Sequence, residues 1–592
     1  MFQTFDVTAR PQDAVPRVAR LRAWMAKTGL DGFIVPRADA FQGEYVAPCD
    51  ARLAWISGFT GSAGFAVILA DRAAVFADGR YKVQVRVQTD RDTFETVDWP
   101  ATGLANWLPE AVPNGGRIGF DPWLHTPDEM QKLSGLPGIT MVPCDNGVDA
   151  IWDDRPPRPQ GRVTAWPKAL AGKGDETKRA EIAADITAAG AEAAVLTQPE
   201  AICWLLNIRG SDLARSPLVL AFAVLHADGR LDLFSDPEKF ADLGPDPAIT
   251  LRHWDDFVPA IEALTCPVLL DPKTAPIAVA DALSQATVIH GADPTALPKA
   301  VKSDAEIAAT TEAHLRDGAA MVRFLRWLDE DRPDDLTEIG VARALEGFRR
   351  DTNHLQDISF ETIAGSGPNG AIVHYRVNED TDRPLAGDPV ILVDSGGQYI
   401  DGTTDITRTI PLMDPPEEVS HAFTRVLQGM IAVSRTMFPR GVTGAHLDAL
   451  ARAPLWAEHR DYDHGTGHGV GVYLGVHEGP QRLSRASNVA LRPGMILSNE
   501  PGYYREGGFG IRIENLIVVV EAQRPEGGDD RDMLAFETLT WVPIDRRLIR
   551  GDLLSPDERR WIDAYHAGVA ERLAPRLDGA DRDWLMRMTA PL

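Results

Sequence analysis

The stretch VILVDSGGQYIDGTTDITRT, residues 390–409, decides the reading of the fold. Four apolar residues, Val390 to Val393, form a strand pattern that ends in a carboxylate, Asp394, and a glycine turn. Asp401 and Asp405 follow closely. An acid at the end of a buried strand is costly unless a cationic group meets it. Aspartate also caps turns, so on its own the stretch leaves both readings open and its neighbours must decide between them.

Downstream, HGTGHGVG (464–471) places glycine at alternate positions, which forbids an ordinary helix and lets the backbone approach a ligand. With His477 this gives three histidines, His464, His468 and His477, within fourteen residues. In NEPGYY (499–504) Pro501 holds Glu500 extended, directly after the apolar run Met495–Leu497. In GIRIENLIV (510–518) the alternation predicts one strand with Arg512 and Glu514 on one face and Ile511 and Ile513 on the other. Arg512 reads equally as a group that orients a neighbouring carboxylate or as a simple ion pair. Together, Asp394, Asp405, Glu500 and Glu514 bring four negative charges, balanced by two divalent cations, with His468 alongside on its glycine loop. Oxygen-rich ligation with one imidazole suits Mn²⁺ and tolerates Co²⁺, Fe²⁺ or Zn²⁺.

Upstream, the chain reads as α/β. Asp153 to Gln160 is rich in Asp, Arg and Pro and predicts a linker. Ser303-Asp304-Ala305-Glu306 has the pattern of a capping box opening a helix that runs through Leu328. The two segments before it look like copies. A helix ending at Gly29 precedes Phe33-Ile34-Val35, and one ending at Gly190 precedes Ala194-Val195-Leu196. Phe65–Ile68 then matches Phe222–Leu225, and Phe76-Ala77-Asp78 matches Phe234-Ser235-Asp236. Neither copy carries a metal-ligand cluster, so both read as shaping or partner domains. The expected division is 1–152, 153–300, 301–535 and a C-terminal extension, 536–592.

The 592 residues are 44% hydrophobic and 25% charged, ordinary for folded domains. A net charge of −26 argues against nucleic acid and anionic membrane as partners. The four cysteines form no paired ligand spacing and predict buried, reduced thiols in a cytoplasmic protein. The first residues lack the apolar region of a secretory signal, and no stretch reaches the ~18 apolar residues of a membrane span.

The third segment resembles the pita-bread metallopeptidases in its order Asp394, Asp405, His468, Glu500, Glu514. The resemblance extends over nearly the whole chain to the three-domain Xaa-Pro aminopeptidases, through EYVAPCD (44–50), SGFTGSAG (57–64), NIRGSD (207–212), GPNGA (367–371) and the tail from Thr540. Phe41 departs from it, standing where a histidine is expected before Glu44-Tyr45. The resemblance implies two creatinase-like N-terminal domains in tandem, then a pita-bread catalytic domain. It gives Asp394 to one metal, His468 and Glu500 to the other, and makes Asp405 and Glu514 bridges. It assigns His374 to substrate and transition-state binding, and His464 and His477 to the substrate around the scissile bond. The implied activity is hydrolysis of an N-terminal Xaa-Pro bond by a hydroxide held between two metals, with Glu500 moving the proton, in a homodimer. A prolidase is the alternative. A metal-free creatinase-like hydrolase and a non-enzymatic binding module are disfavoured by the complete ligand set.

Overall fold

The apolar runs that repeat through the first half become matching strands of two sheets. In the computed structural model, which describes Met1 to Leu592, β1 (Gly32–Pro36), β2 (Phe65–Leu69), β3 (Ala73–Ala77), β4 (Glu95–Asp98), β5 (Gly116–Phe120) and β6 (Ile139–Pro143) lie in the order β4-β3-β2-β1-β5-β6. The second sheet comprises β7 (Ala193–Leu196), β8 (Phe222–His226), β9 (Leu231–Phe234), β10 (Ile249–Arg252), β11 (Pro267–Leu270) and β12 (Thr287–His290), in the equivalent order β10-β9-β8-β7-β11-β12. Strand directions match as well: β1 is antiparallel to β2 and parallel to β5, as β7 is to β8 and β11. Helix α1 (Ala14–Thr28) stops at left-handed Gly29, and α2 (Asp175–Ala188) stops just before left-handed Gly190.

Phe41 is 7% exposed and packs against Phe222 and Trp254, at ring-centroid distances of 4.7 and 5.9 Å. It is a core residue joining the two repeats. The four thiols are free, but only Cys49 and Cys203 are buried; Cys144 and Cys266 are half-buried because they sit at strand boundaries, after β6 and before β11.

The chain divides into two compact units. Residues 7–168 and 173–299 form one; residues 1–6, 169–172 and 300–592 form the other. In the latter, Ser303 caps α3 (Asp304–Arg326) with both bonds of the box, Glu306 N donating to Ser303 Oγ at 3.2 Å and Ser303 N to Glu306 Oε2 at 2.8 Å. The regular helix ends at Arg326, short of Leu328, and widens into a π-turn, Trp327–Asp331, before Arg332 becomes extended ahead of Pro333.

Helix α4 (Glu338–Arg350) leads into an antiparallel sheet of β13 (Ile363–Ser366), β14 (Val390–Ser395) and β15 (Ile406–Pro411). Two helices follow, α5 (Glu417–Ser434) and α6 (Gly444–Trp456). A six-stranded sheet runs β16-β23-β22-β19-β17-β18, with β16 (Phe438–Pro439), β17 (Gly467–Gly469), β18 (Glu478–Leu483), β19 (Ile496–Asn499), β22 (Asn515–Glu521) and β23 (Met533–Thr538). Between β19 and β22 stands a hairpin of β20 (Gly502–Arg505) and β21 (Phe509–Arg512). Tail helices α7 (Pro556–Leu573) and α8 (Gly579–Met588) place Ile562, Tyr565, Val569 and Trp584 in the same core as Val390–Val393.

Two strand expectations change. Residues 510–518 are not one strand: β21 ends at Arg512, and β22 starts at Asn515 in another sheet. The break occurs because β15 captures the link, Glu514 N donating to Thr407 O at 3.2 Å and Arg408 Nη1 to Glu514 O at 2.6 Å. Asp394 does not terminate its strand. It pairs with Ile363 on one side and Thr407 on the other, so it lies within the sheet.

Candidate metal centre

Five side chains separated by up to 120 residues of sequence converge where these sheets meet. Asp394 comes from β14, Asp405 from the turn before β15, His468 from β17, Glu500 from the end of β19 and Glu514 from the link between β21 and β22. Asp394, Asp405 and Glu514 are 7%, 4% and 1% exposed. Ligand atoms of Asp405, His468 and Glu514 all lie within 4.8 Å of one another. His468 Nε2 is 3.4 Å from both Asp405 Oδ2 and Glu500 Oε1. Its Nδ1 is 2.9 Å from the Gly469 carbonyl, an acceptor, so Nδ1 carries the hydrogen and Nε2 is the nitrogen aimed at the carboxylates.

The electrostatics are those of acids crowded without enough positive charge. Burial pushes the Asp394 carboxyl up, opposed by Arg512 and reinforced by Asp405. Burial likewise raises Glu500 to about 7, His468 opposing and Asp405 adding to the rise. Glu514 is held well above the usual carboxylate range by burial and by Asp405, Glu500 and Asp394. For His468, burial acts downward, but Asp405 and Glu500 outweigh it and hold the imidazole at about 9. Two buried oxygens, Asp394 Oδ1 and Glu514 Oε1, have no hydrogen-bond partner. Unsatisfied buried carboxylate oxygens facing an imidazole nitrogen fit a divalent cation.

A frame of neutral and cationic groups holds the acids. Fully buried Arg512 donates through Nη2 to Asp394 Oδ2 at 2.6 Å, through Nη1 to the Tyr504 hydroxyl at 2.6 Å and through Nε to Thr407 Oγ1 at 3.2 Å. Thr407 Oγ1 donates to Glu514 Oε2 at 2.8 Å, and Ser498 Oγ to Glu500 Oε1 at 3.0 Å. Arg512 therefore forms a buried ion pair with Asp394, and its further bonds to Tyr504 and Thr407 supply the fixed geometry that an orienting role requires. Tyr504, Thr407 and Ser498 carry no mark of function in the sequence beyond their spacing.

The remaining predicted residues lie around this cluster. The His477 ring stands edge-on to that of His468, 4.2 Å between centroids. His464 Nδ1 is 2.7 Å from the Gly465 carbonyl, which leaves Nε2 to accept the Tyr504 hydroxyl at 2.8 Å; Tyr462 flanks the ring at 4.7 Å. On either side of His374, the Val373 carbonyl accepts from Arg512 Nη2 at 3.3 Å, and the Tyr375 hydroxyl donates to Glu338 Oε2 at 2.8 Å.

This geometry agrees with what the chain is similar to. The model of metallopeptidase family M24 matches residues 308–521, and that of its C-terminal region matches 532–592. Two models of the creatinase/prolidase N-terminal domain match residues 17–151 and 154–306. Aminopeptidase P2 of Arabidopsis thaliana is 38% identical over 95% of this chain and 86% of its own length. A probable Xaa-Pro aminopeptidase P of Laccaria bicolor is 38% identical over 97% and 93%. The chain belongs to the aminopeptidase P branch of metallopeptidase family M24. The crystal structure of X-prolyl aminopeptidase from Caenorhabditis elegans, described as a cytosolic enzyme with a di-nuclear active site, superposes with a TM-score of 0.92 at 31% identity, covering 98% of this chain and all of that one. The fold is thus creatinase-like N-terminal domains followed by a pita-bread catalytic domain, and the protein is a hydrolase.

Proposed function

We propose that the protein is an Xaa-Pro aminopeptidase that uses two divalent metal ions, Mn²⁺ by preference. The observation that carries this is the convergence of Asp394, Asp405, His468, Glu500 and Glu514 into one largely buried cluster with unsatisfied oxygens, in a chain similar end to end to aminopeptidases P. Asp394 would hold one ion, His468 and Glu500 the other, and Asp405 and Glu514 would bridge them. When bound, such a pair supplies an acidified water and polarises a carbonyl.

The chain's own residues do the rest. Glu500, held at Oε1 by Ser498, accepts a proton at its carboxylate and returns it to the leaving nitrogen. His477 and His374 donate to the developing oxyanion. His464 has both ring nitrogens engaged and is wedged between Tyr462 and Tyr504, so it meets substrate as a rigid wall rather than as a hydrogen-bonding group. A wall suits proline, whose amide nitrogen has no hydrogen for a site to grip. The acids and the substrate's free amino group would limit cleavage to the first residue.

The division at residues 152, 300 and 535, a homodimer and a cytoplasmic location belong to the same proposal. Peptides are the proposed substrates, with no nucleic-acid or membrane partner; the chain carries a net charge of −26, and no helix is long and apolar enough to cross a membrane.

The test is mass-spectrometric product analysis of Arg-Pro-Pro-Gly-Phe, its Arg-Ala control and the Arg-Pro dipeptide, with Mn²⁺ and with a chelator. Arginine released only from the proline peptide, and only with metal, supports the reading. Cleavage of the Arg-Pro dipeptide alone would convert it to prolidase. No cleavage of either would end it.

A further inference from the structure

Among the buried ion pairs that have no part in the mechanism above, that of Lys302 and Glu478 adjoins the histidine hairpin. The side chains of Lys302 and Glu478 are 2% and 0% exposed and pair through Nζ and Oε1. Two charges removed from water are expensive to keep unless each meets the other. Their backbones belong to different parts of the site. Lys302 N donates to Gly494 O at 3.0 Å, Gly494 N donates to Val519 O at 2.8 Å, and Val301 bridges Met495. This is the root of β19, the strand whose far end delivers Glu500.

Glu478 opens β18 opposite Gly469 of β17, directly after His477. The loop between the two histidines wraps around it. A Cβ at Gly469 would collide with the Glu478 carbonyl, and one at Gly471 would come within 3.1 Å of Glu478 Oε2. Gly471 N donating to Gly475 O at 3.0 Å and Gln398 Nε2 to Leu474 O at 2.8 Å close the loop. Glu478 is the peg of the hairpin that carries His468 and His477, and Lys302 is its buried cationic partner.

We propose that Lys302 is a positioning residue for His477: its buried ion pair with Glu478 fixes the histidine hairpin at a set distance from the strand that delivers Glu500. This rests on the function proposed above. A pair that merely stabilises the fold makes a different prediction. Lys302→Met and Glu478→Gln each remove one member of the buried pair and leave the other charge in place, whereas the double variant removes both charges, so its urea midpoint returns towards wild type. If the pair places His477, the double variant still loses about 10- to 100-fold in kcat on Arg-Pro-Pro-Gly-Phe, with KM within about twofold and wild-type Mn²⁺ content. Its crystal structure then shows the His477 ring displaced from that of His468. Restored kcat in the double variant, an unmoved ring or lost Mn²⁺ each overturns the proposal. A wild-type protein that cleaves no Xaa-Pro bond overturns the function instead, and the ring position in the double variant then decides the role of Lys302.

Discussion

The Thr407 hydroxyl accepts from Arg512 Nε at 3.2 Å and donates to Glu514 Oε2 at 2.8 Å, so one oxygen links the cation that holds Asp394 to a carboxylate in the link between β21 and β22. Thr407→Val keeps the β-branched shape and removes that link. Outer groups of this kind support metal affinity by about 10- to 100-fold. Titration of the metal-free variant with Mn²⁺ should show weakening in that range, and wild-type affinity would exclude the role. The proposed ligands could be picked out of the sequence because acids and histidines stand out against apolar runs and glycine loops. Thr407 and Ser498 do not stand out by type. Each does lie two residues from a proposed ligand, Asp405 or Glu500, just inside the strand that the ligand flanks. Nothing in the sequence separates Tyr503 from Tyr504. Only the fold turns Tyr504 towards Arg512 and His464 and sends Tyr503 towards Phe509.

The elements around the site tolerate little movement. The β20–β21 hairpin crosses the turn at 367–371 so closely that a Cβ on Gly510 would collide with the Gly370 carbonyl, whereas one on Gly347, within α4, meets nothing inside 4 Å. Gly510→Ala should therefore destabilise by about 1–3 kcal/mol and shift Arg512, while Gly347→Ala should stabilise by about 1 kcal/mol. Urea midpoints read both, and equal effects would refute the close approach. Strand patterning could not show that residues 510–518 break between two sheets, because the break is made by Thr407 and Arg408, a hundred residues away. The tail helix α7 adds a pH dependence. His566 Nε2 accepts from Ile544 N at 3.2 Å, and burial lowers its imidazole to about 4. Between that value and the ordinary 6.5, the unfolded chain binds a proton that the folded chain refuses. Stability present above pH ~6.5 is lost as pH falls towards ~4, by on the order of 3 kcal/mol. His566→Gln keeps an acceptor without titrating, so the loss in urea midpoint from pH 7 to 5 should be smaller than in wild type. An identical loss would acquit His566.

At the scale of the molecule, the duplicated strands made the two N-terminal sheets readable in advance, since repeated local pattern needs no knowledge of distant contacts. The start of the chain was not readable. Residues 1–6 belong with the unit that holds the metal centre: Phe5 lies in its core, and Gln3 exchanges hydrogen bonds with the Thr362 backbone at 2.9 and 3.3 Å, a pairing across 359 residues. This division into units makes metal removal a spatially resolved experiment. A ligand that binds only the folded state stabilises it by mass action, by about 2.7 kcal/mol when present at 100 times its dissociation constant. All five proposed ligands lie in the second unit. Hydrogen exchange followed by mass spectrometry should therefore show chelation accelerating exchange by roughly a hundredfold in β14, β15, β19 and β22, with β1 to β12 unchanged. Acceleration throughout the chain would mean that the units unfold as one. No acceleration in β14 and β15 would mean that the acids bind metal too weakly to stabilise the fold, and the two-metal assignment would fall with it.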